Sequence, residues 1–266
     1  MSKDYIIKSE IFNDKMNLLV YGDPGSGKTY LAGTAQDSPY MKDVWVMNID
    51  GGMMTLAQRG DIHAVDIRSI DELEVELHKL VNKDPKYKGA KTIVIDNITE
   101  LQSLSLEGIV QTQLKDRMKK DKGATIDDIY LEDYGKSSTQ LARVLRGFRD
   151  LPMHVIYIAH KKDKMRKGTN MLESSRPSLT DKLCTAVMGY MDFVWYLYPV
   201  DEQIETSEGE FTTETHRYLL TQPYNNYSAK TRGMEFAEQI GVTVRDPDLS
   251  QIMAIYAKED VKNGKN

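Results

Sequence analysis

The sequence predicts an α/β protein in which a mostly parallel sheet lies between helices and carries an antiparallel hairpin at its C-terminal edge. Short apolar runs of strand length recur along the 266 residues. Stretches with helical apolar spacing, such as Ile70–Val81 and Leu141–Phe148, separate the first four runs. This alternation favours a parallel sheet covered on both faces. The predicted strands are Leu18–Tyr21, Val44–Ile49, Thr92–Ile95, Val155–Ile158 and Phe193–Leu197.

The pattern changes after Pro199. The stretch DEQIETSEGEFTTETHRYLLTQ has acidic, glycine-containing turn chemistry between two alternating runs, which indicates an antiparallel hairpin. Asp246 and Pro247 then begin a last predicted helix, whose apolar residues recur at helical spacing. Because the chain has no internal repeat and no clear linker, we expect one domain over residues 1–245, followed by a C-terminal helix and tail over residues 246–266.

Composition restricts the location and the partners that we expect. No run of about 18 apolar residues is present, so we expect no membrane-spanning segment. The charged N-terminal stretch MSKDYIIKSEIF lacks the apolar core of a signal peptide. The single cysteine, Cys184, excludes an internal disulfide framework and a cysteine-rich zinc site, and it favours the cytoplasm. The formal net charge is −5, so any binding to nucleic acid needs a local basic patch.

The stretch GDPGSGKT matches the phosphate-binding P-loop pattern G-x-x-x-x-G-K-[ST], and it lies between a predicted strand and a predicted helix. Glycines leave backbone N–H groups free to surround a polyphosphate. Lys28 is expected to reach the β- and γ-phosphates, and the Thr29 hydroxyl to ligate Mg²⁺. The alternative is a glycine-rich turn before a helix. The residues expected to contact the nucleotide are Gly22, Asp23, Pro24, Gly25, Ser26, Gly27, Lys28, Thr29 and Tyr30.

A second acidic position follows the apolar run of the stretch KTIVIDNITEL. Asp96 ends that predicted strand, where its carboxylate can hold Mg²⁺ through water. On its own, this pattern also fits an ordinary strand that ends in a turn aspartate. Combined with the P-loop, it predicts a catalytic magnesium site formed by Thr29 and Asp96.

Five stretches in this order resemble the RecA-like ATPase core of RecA recombinases and DnaB-type replicative helicases. Within that superfamily the chain is most similar to phage nucleotide-binding proteins, some of which are RecA-like single-strand annealing proteins. The resemblance covers roughly residues 15–235 and implies a RecA-like P-loop fold with ATP and Mg²⁺ as cofactors. The stretches are GDPGSGKT, VWVMNIDGGMMTL, KTIVIDNITEL, MHVIYIAHKKDK and YSAKTRG.

The resemblance also implies catalytic roles for two residues outside the P-loop. In RecA-like proteins a glutamate near the end of the next strand polarises the attacking water, but this chain has Gly52 at the matching position. Asp50 is the candidate base, and Glu100 is a weaker one. Asp50 could instead serve only in a turn. His160 matches the family's γ-phosphate sensor, and its alternative is a residue that caps the strand end.

Lys230 and Arg232, in the stretch AKTRG, resemble the Lys-x-Arg element that reaches the nucleotide of a neighbouring subunit in RecA and DnaB assemblies. Alternate residues of a strand share a face, so both cations should point the same way. The resemblance therefore implies a homo-oligomer, a ring or a filament, in which the two residues act in trans on the γ-phosphate. A solvated pair on an edge strand is the alternative.

The stretch HKKDKMRKGTN has a local charge of +4 and follows the predicted sensor strand. The equivalent loop of RecA-like proteins contacts single-stranded DNA, and a flexible cationic loop could become ordered on a phosphate backbone. No aromatic residue suited to base stacking lies within it, and a solvated mobile loop is the alternative. The residues expected to bind DNA are Lys161, Lys162, Lys164, Arg166 and Lys167.

These observations predict a magnesium-dependent ATPase that binds single-stranded DNA in phage-type recombination or annealing, with slow or DNA-stimulated turnover. A single-strand binding protein or a helicase is a further expected partner. If the protein is phage-encoded, it acts in the cytoplasm of a bacterial host. The alternative is a nucleotide-dependent loader or switch that acts on a replication protein. A small-molecule kinase is disfavoured, because the chain has no arginine-rich lid.

Overall fold

The structure is a computed structural model that describes residues 15–205 and 210–263. Parts of the predicted domain, of the hairpin turn and of the tail, at residues 1–14, 206–209 and 264–266, lie outside the described residues. The strands are β1 (Asn17–Gly22), β2 (Val44–Asn48), β3 (His63–Asp66), β4 (Thr92–Asp96), β5 (His154–Met165), β6 (Leu172–Pro177), β7 (Phe193–Glu205), β8 (Phe211–Leu220), β9 (Lys230–Thr231) and β10 (Thr243–Arg245). The helices are α1 (Lys28–Gly33), α2 (Ile70–Val81), α3 (Ile98–Lys120), α4 (Leu131–Arg149), α5 (Asp181–Tyr190), α6 (Met234–Ile240) and α7 (Leu249–Asn263).

One sheet runs through the chain in the order β10-β8-β7-β1-β5-β4-β2-β3. The strands from β7 to β3 are all parallel, whereas β8 and β10 are antiparallel to their neighbours. Two shorter strands pair antiparallel outside this order, β6 with the C-terminal part of β5 and β9 with the first residues of β7. The predicted fold class is therefore confirmed, including the antiparallel hairpin β7–β8 at the C-terminal edge.

The position of β1 inside the sheet determines where the P-loop lies. Strand β5 lies beside β1 and pairs Gly22 with His160, and it also separates β1 from β4. Because parallel strands end at the same edge of a sheet, the carboxyl ends of β1, β4 and β2 all lie at one edge. The segments that follow these ends carry the P-loop, Asp50 and Asn97.

Two apolar clusters fill the two faces of the sheet. Successive side chains of a strand point to opposite faces, so Leu19 and Tyr21 join one cluster while Leu18 and Val20 join the other. Residues of α2, α3, α4 and α5 cover the first face, and residues of α1, α6 and α7 cover the second. This arrangement explains why the strands appear as near-continuous apolar runs in the sequence.

The predicted elements are largely confirmed, with one correction that bears on function. Helix α2 has the predicted bounds, and the Ser69 hydroxyl accepts a hydrogen bond from the Glu72 N–H at its start. The prediction that the basic segment is a flexible loop after a strand ending at His160 was wrong. Strand β5 continues to Met165 and pairs with β6, so the basic residues lie on a β-hairpin. Among the described helices, none has the length and apolar character needed to cross a membrane.

We predict that two identical substitutions on α4 differ strongly in their effect on stability. Leu145 is 0 % exposed and Leu131 is 91 % exposed. Leu145→Ala should lower the free energy of unfolding by about 2–5 kcal/mol, because it leaves a cavity in the core. Leu131→Ala should change it by less than about 0.5 kcal/mol. Urea unfolding of both variants measures the difference, and equal losses would contradict this assignment of the inner face of α4.

Candidate nucleotide-binding site

The P-loop joins β1 to α1 and forms one wall of a cavity. Gly25 and Gly27 have φ values of 78° and 96°, a region that side chains beyond glycine disfavour. The cavity has a volume of about 480 Å³, large enough for a nucleotide polyphosphate. Its lining residues are Pro24, Gly25, Gly27, Lys28, Thr29, Tyr30, Asp50, Thr55, Asp96, Asn97, His160 and Arg217.

Lys28 is buried beneath the loop and is held by neutral oxygen atoms. Its Nζ donates to the carbonyl of Gly22 at 3.1 Å and to that of Asp23 at 2.7 Å. Burial lowers the pKa of Lys28, although nearby carboxylates oppose that shift. No ion pair within 4.0 Å joins its ammonium to a carboxylate of the described residues. A buried ammonium whose direct hydrogen-bond partners are all neutral can also receive an anion in the cavity that it lines.

Thr29 and Asp96 meet at the floor of the cavity, as expected for a magnesium site. The Thr29 hydroxyl donates to Asp96 Oδ2 at 2.6 Å, and Asp96 is 1 % exposed. Burial raises the pKa of Asp96 to about 6, although the hydrogen bond from Thr29 opposes that shift. A hydroxyl and a carboxylate are hard oxygen ligands of the kind that Mg²⁺ uses, usually with waters and substrate phosphates.

The donor set fits Mg²⁺ that is shared with phosphates better than a metal held by protein alone. Within residues 15–205 and 210–263, no group of three or more His, Cys, Asp or Glu side chains could hold a metal ion. Thr29 and Asp96 would supply the protein's part of the coordination, and a bound metal would compensate the buried carboxylate.

Asn97 connects the predicted base and the predicted sensor, and the sequence analysis missed it. Its Nδ2 donates to Asp50 Oδ2 at 2.7 Å and lies 3.4 Å from His160 Nε2. Its Oδ1 accepts from the Glu100 N–H at 2.8 Å, which caps α3. A sequence signal existed, since Asn97-Ile98-Thr99-Glu100 has the N-cap pattern and directly follows Asp96.

His160 lies beside the P-loop strand within β5, with its ring toward the cavity. Its backbone N–H donates to the Thr99 hydroxyl at 3.0 Å. Its Nδ1 is buried and has no hydrogen-bond partner in the described chain. Burial and then the Lys28 ammonium lower the pKa of His160, so the neutral imidazole is favoured at neutral pH. A neutral imidazole keeps one N–H that can donate to a phosphate oxygen.

Asp50 follows β2 by two residues, and both of its oxygens accept hydrogen bonds. Oδ1 accepts from the Gly52 N–H at 3.0 Å, and Oδ2 accepts from Asn97. The carboxylate therefore has a fixed orientation at the cavity. Glu100, the weaker candidate base, is exposed in the first turn of α3, as expected.

Arg217 also lines the cavity, and no pattern in the sequence predicts this. It lies on β8 of the C-terminal hairpin, and its side chain contacts the P-loop at Gly27. Only the pairing of β8 with β7, and of β7 with β1, brings this residue to the loop.

The basic residues on the β5–β6 hairpin have two different environments. Lys161 forms ion pairs with Asp23 and with Asp163, both at 3.0 Å. Although burial opposes it, these two carboxylates raise the pKa of Lys161. Lys161 therefore points toward the P-loop. The four other predicted DNA-binding residues are exposed: Lys162, Lys164, Arg166 and Lys167.

Lys230 and Arg232 lie near the amino ends of the parallel strands, whereas the P-loop of the same chain lies at their carboxyl ends. Strand β9 pairs with the first residues of β7, next to the start of β1. Lys230 Nζ donates to the Met188 carbonyl at 2.7 Å, and Arg232 forms an ion pair with Asp192 at 2.7 Å. The structure therefore does not bring these two cations to the nucleotide site of their own chain.

We predict that removing the charge of Asp96 stabilises the protein without metal and nucleotide, in a pH-dependent way. The folded pKa of about 6 lies above the ordinary value, so the cost of ionising Asp96 is absent well below pH 4. This cost grows as the pH rises from about 4 to about 6, and it is complete above about pH 6. Near neutral pH the free energy of unfolding of Asp96→Asn should exceed that of the unsubstituted protein by about 1–3 kcal/mol. At about pH 4 the two values should be nearly equal.

Urea unfolding at both pH values, without Mg²⁺ or nucleotide, measures this difference. Asp127→Asn is the matched control, because the Asp127 side chain is exposed on the α3–α4 connection. The control should follow the unsubstituted protein at both values. A stability gap for Asp96→Asn that is the same at both pH values would contradict the prediction.

Comparison with known proteins tests the expected family. A family model described as an AAA domain, AAA_24, matches residues 14–233, which is most of the chain. A search of curated proteins found no match. The expected P-loop ATPase family is thereby confirmed, and this family suggests a nucleotide-dependent ATPase activity, whereas the finer RecA-like and phage assignment stays a prediction. The chain belongs to the AAA domain family of P-loop ATPases.

Proposed function

We propose that this protein is a magnesium-dependent ATP hydrolase that binds single-stranded DNA in phage-type recombination or annealing, in the cytoplasm of a bacterial host. The observation that carries the proposal is the 2.6 Å contact of Thr29 with Asp96, beside the buried ammonium of Lys28 at the same cavity. Thr29 and Asp96 would hold Mg²⁺, which would supply charge neutralisation at the phosphate oxygens, and Lys28 binds the phosphates.

Hydrolysis is assigned to the cluster of Asp50, Asn97 and His160. Asp50 accepts a proton from the attacking water, and Asn97 fixes the direction of its carboxylate. His160 donates from its neutral ring to the γ-phosphate. Both oxygens of Asp50 already accept hydrogen bonds, so a water must share them. This sharing supports slow turnover that DNA or assembly accelerates.

The DNA part of the proposal rests on the β5–β6 hairpin and the loop that packs on it. Four exposed cations of the hairpin offer contacts to a phosphate backbone. The Asn226 side chain donates to the Leu172 carbonyl at 2.6 Å, so the loop with Tyr224 and Tyr227 lies against β6. Tyr224 is 59 % exposed and provides a ring for base stacking that the basic segment itself lacks.

Lys161 supports a coupling between DNA binding and the nucleotide. It lies on the same strand as Lys162 and Lys164 and is paired with Asp23 of the P-loop. A phosphate chain bound at the loop changes the charge next to that pair, and β5 transmits the change to the hairpin. Single-strand binding proteins and helicases are the proposed protein partners, because they occupy the same DNA.

A loader or switch that acts on a replication protein is the second candidate. The observation that favours it is a set of large apolar side chains exposed near the α3–α4 connection, where protein partners could bind. These side chains are Met118, Ile126, Ile129, Tyr130, Leu131 and Tyr134.

The proposed assembly is a ring or filament in which Lys230 and Arg232 reach the γ-phosphate of a neighbouring subunit. Their distance from the P-loop of their own chain supports a role in trans. Arg232 is half exposed, which leaves its guanidinium accessible to a neighbouring subunit.

We predict that Lys28→Ala abolishes ATP binding and turnover, because the ammonium that meets the phosphates is lost. Calorimetry with ATP and Mg²⁺ measures binding. Phosphate release measures turnover, over a series of protein concentrations with and without single-stranded DNA. Lys42→Ala is the control, since the Lys42 side chain is exposed outside the cavity. Full activity of Lys28→Ala would refute the phosphate assignment. If the turnover rate per subunit changes neither with protein concentration nor with single-stranded DNA, the proposed assembly and DNA stimulation are refuted.

We predict that charge reversal of the exposed hairpin cations weakens DNA binding and its salt dependence. The variant replaces Lys162, Lys164, Arg166 and Lys167 by Glu and leaves Lys161 in place. Each lost phosphate contact should lower the slope of log affinity against log salt by about 0.7. The control reverses four lysines at the end of α3 and after it. Labelled oligonucleotide binding with ATP measures both variants, and an unchanged slope for the hairpin variant would move the DNA contact elsewhere. The control residues are Lys115, Lys119, Lys120 and Lys122.

A further inference from the structure

Arg217 lies directly against the backbone of the P-loop. A Cβ atom on Gly27 would meet Arg217 Nε at 2.6 Å and Cδ at 2.9 Å. Arg217 also lines the cavity that holds Lys28, Thr29 and Asp96. Its side chain is therefore positioned where a phosphate chain bound by the loop would run.

The backbone of Arg217 is fixed on two sides. Arg217 pairs with Pro199 of β7 across the hairpin. On the other side its N–H donates to Asp246 Oδ1 at 3.0 Å, and its carbonyl accepts from the Asp246 N–H at 2.6 Å. His216 Nδ1 lies 2.7 Å from the other oxygen of Asp246. These contacts restrict the directions in which the Arg217 side chain can leave the strand.

The guanidinium of Arg217 has no partner of its own in the described chain. Within the described residues, no side-chain nitrogen of Arg217 donates a hydrogen bond or forms an ion pair with a carboxylate. Arg245, on the neighbouring strand β10, instead forms an ion pair with Glu202 at 2.9 Å. An arginine without a counter-charge beside an anion-binding loop fits a phosphate, because its planar fork can donate two parallel hydrogen bonds.

The sheet order places Arg217 on a different side of the site from Asp96 and His160. Strand β1 lies between β5 and β7. Asp96 and His160 reach the cavity from the β5 and β4 side, whereas Arg217 reaches it from the β7 and β8 side. Lys28 approaches from within the loop. A nucleotide in the cavity would therefore meet a cation on the side that the hydrolytic cluster does not occupy.

We propose that Arg217 binds the phosphate chain of the nucleotide in cis and thereby attaches the β7–β8 hairpin to the occupied P-loop. This inference rests on the proposed nucleotide site and adds a binding residue from a distant part of the chain. Arg217 complements Lys28: the ammonium acts as a point charge from below, and the guanidinium fixes phosphate orientation from the side.

Nucleotide binding by Arg217→Ala tests the inference. We expect its affinity for Mg²⁺–ATP to fall about 10- to 100-fold by calorimetry, the range for lost charge-assisted hydrogen bonds. Pyrophosphate, which lacks base and ribose, should lose affinity by a similar factor. Arg217→Lys should recover part of the loss, because it keeps the charge without the fork. Arg245→Ala, on the same sheet edge but outside the cavity, should bind like the unsubstituted protein.

Three results would overturn the inference. Unchanged or tighter ATP binding by Arg217→Ala would mean that the Arg217 side chain contributes nothing to nucleotide affinity or obstructs the site. An equal loss in Arg245→Ala would assign the effect to the hairpin as a whole. A loss confined to ATP and absent for pyrophosphate would place the contact at the base or ribose. If the unsubstituted protein does not bind ATP, or Lys28→Ala binds it normally, the proposed function fails as well. If only Arg217→Ala is normal, the proposed function stands without this inference.

Discussion

The hydrogen bond from the Thr29 hydroxyl to the Asp96 carboxylate joins two segments that are distant in the chain, and the rest of the site is arranged around it. It can form only because β5 lies between β1 and β4 and all three strands end at one edge. Burial of Asp96 costs free energy, which its raised pKa records. A bound cation would compensate such a carboxylate, as the proposed magnesium site requires.

The local parts of this site could be predicted, because short stretches of sequence encode them. The P-loop needs its glycines, Lys28 and Thr29 in one continuous stretch, and Asp96 ends an apolar run. The bounds of α2 follow from its spacing and its Ser69 cap. Strand order is not local, since it depends on how separate strands pair. The placement of Arg217 at the cavity is therefore invisible in the sequence, since it depends on two pairings across the sheet.

The basic segment shows how tertiary pairing overrides local propensity. Its lysines and its glycine predict a loop, since such residues are poor in strands. Pairing with β6 supplies the missing stabilisation through backbone hydrogen bonds and the Lys164–Glu173 ion pair at 2.7 Å. The consequence is mechanical as well as structural. A loop would isolate the cations from the nucleotide, whereas a continuous β5 connects them to His160 and to the Lys161–Asp23 pair.

The proposed role of Lys230 and Arg232 in trans makes a specific demand on assembly. The P-loop lies at the carboxyl edge of the parallel strands, and these cations lie at the amino edge, beside the start of β7. A neighbour can receive them only if the amino edge of one subunit faces the carboxyl edge of the next. Such a head-to-tail contact is heterologous, so it generates a closed ring or an open filament, and it excludes a two-fold dimer as the active form. Lys230 and Arg232 must then exchange their present carbonyl and carboxylate partners for phosphate oxygens, which would make assembly sensitive to the nucleotide that the neighbour holds.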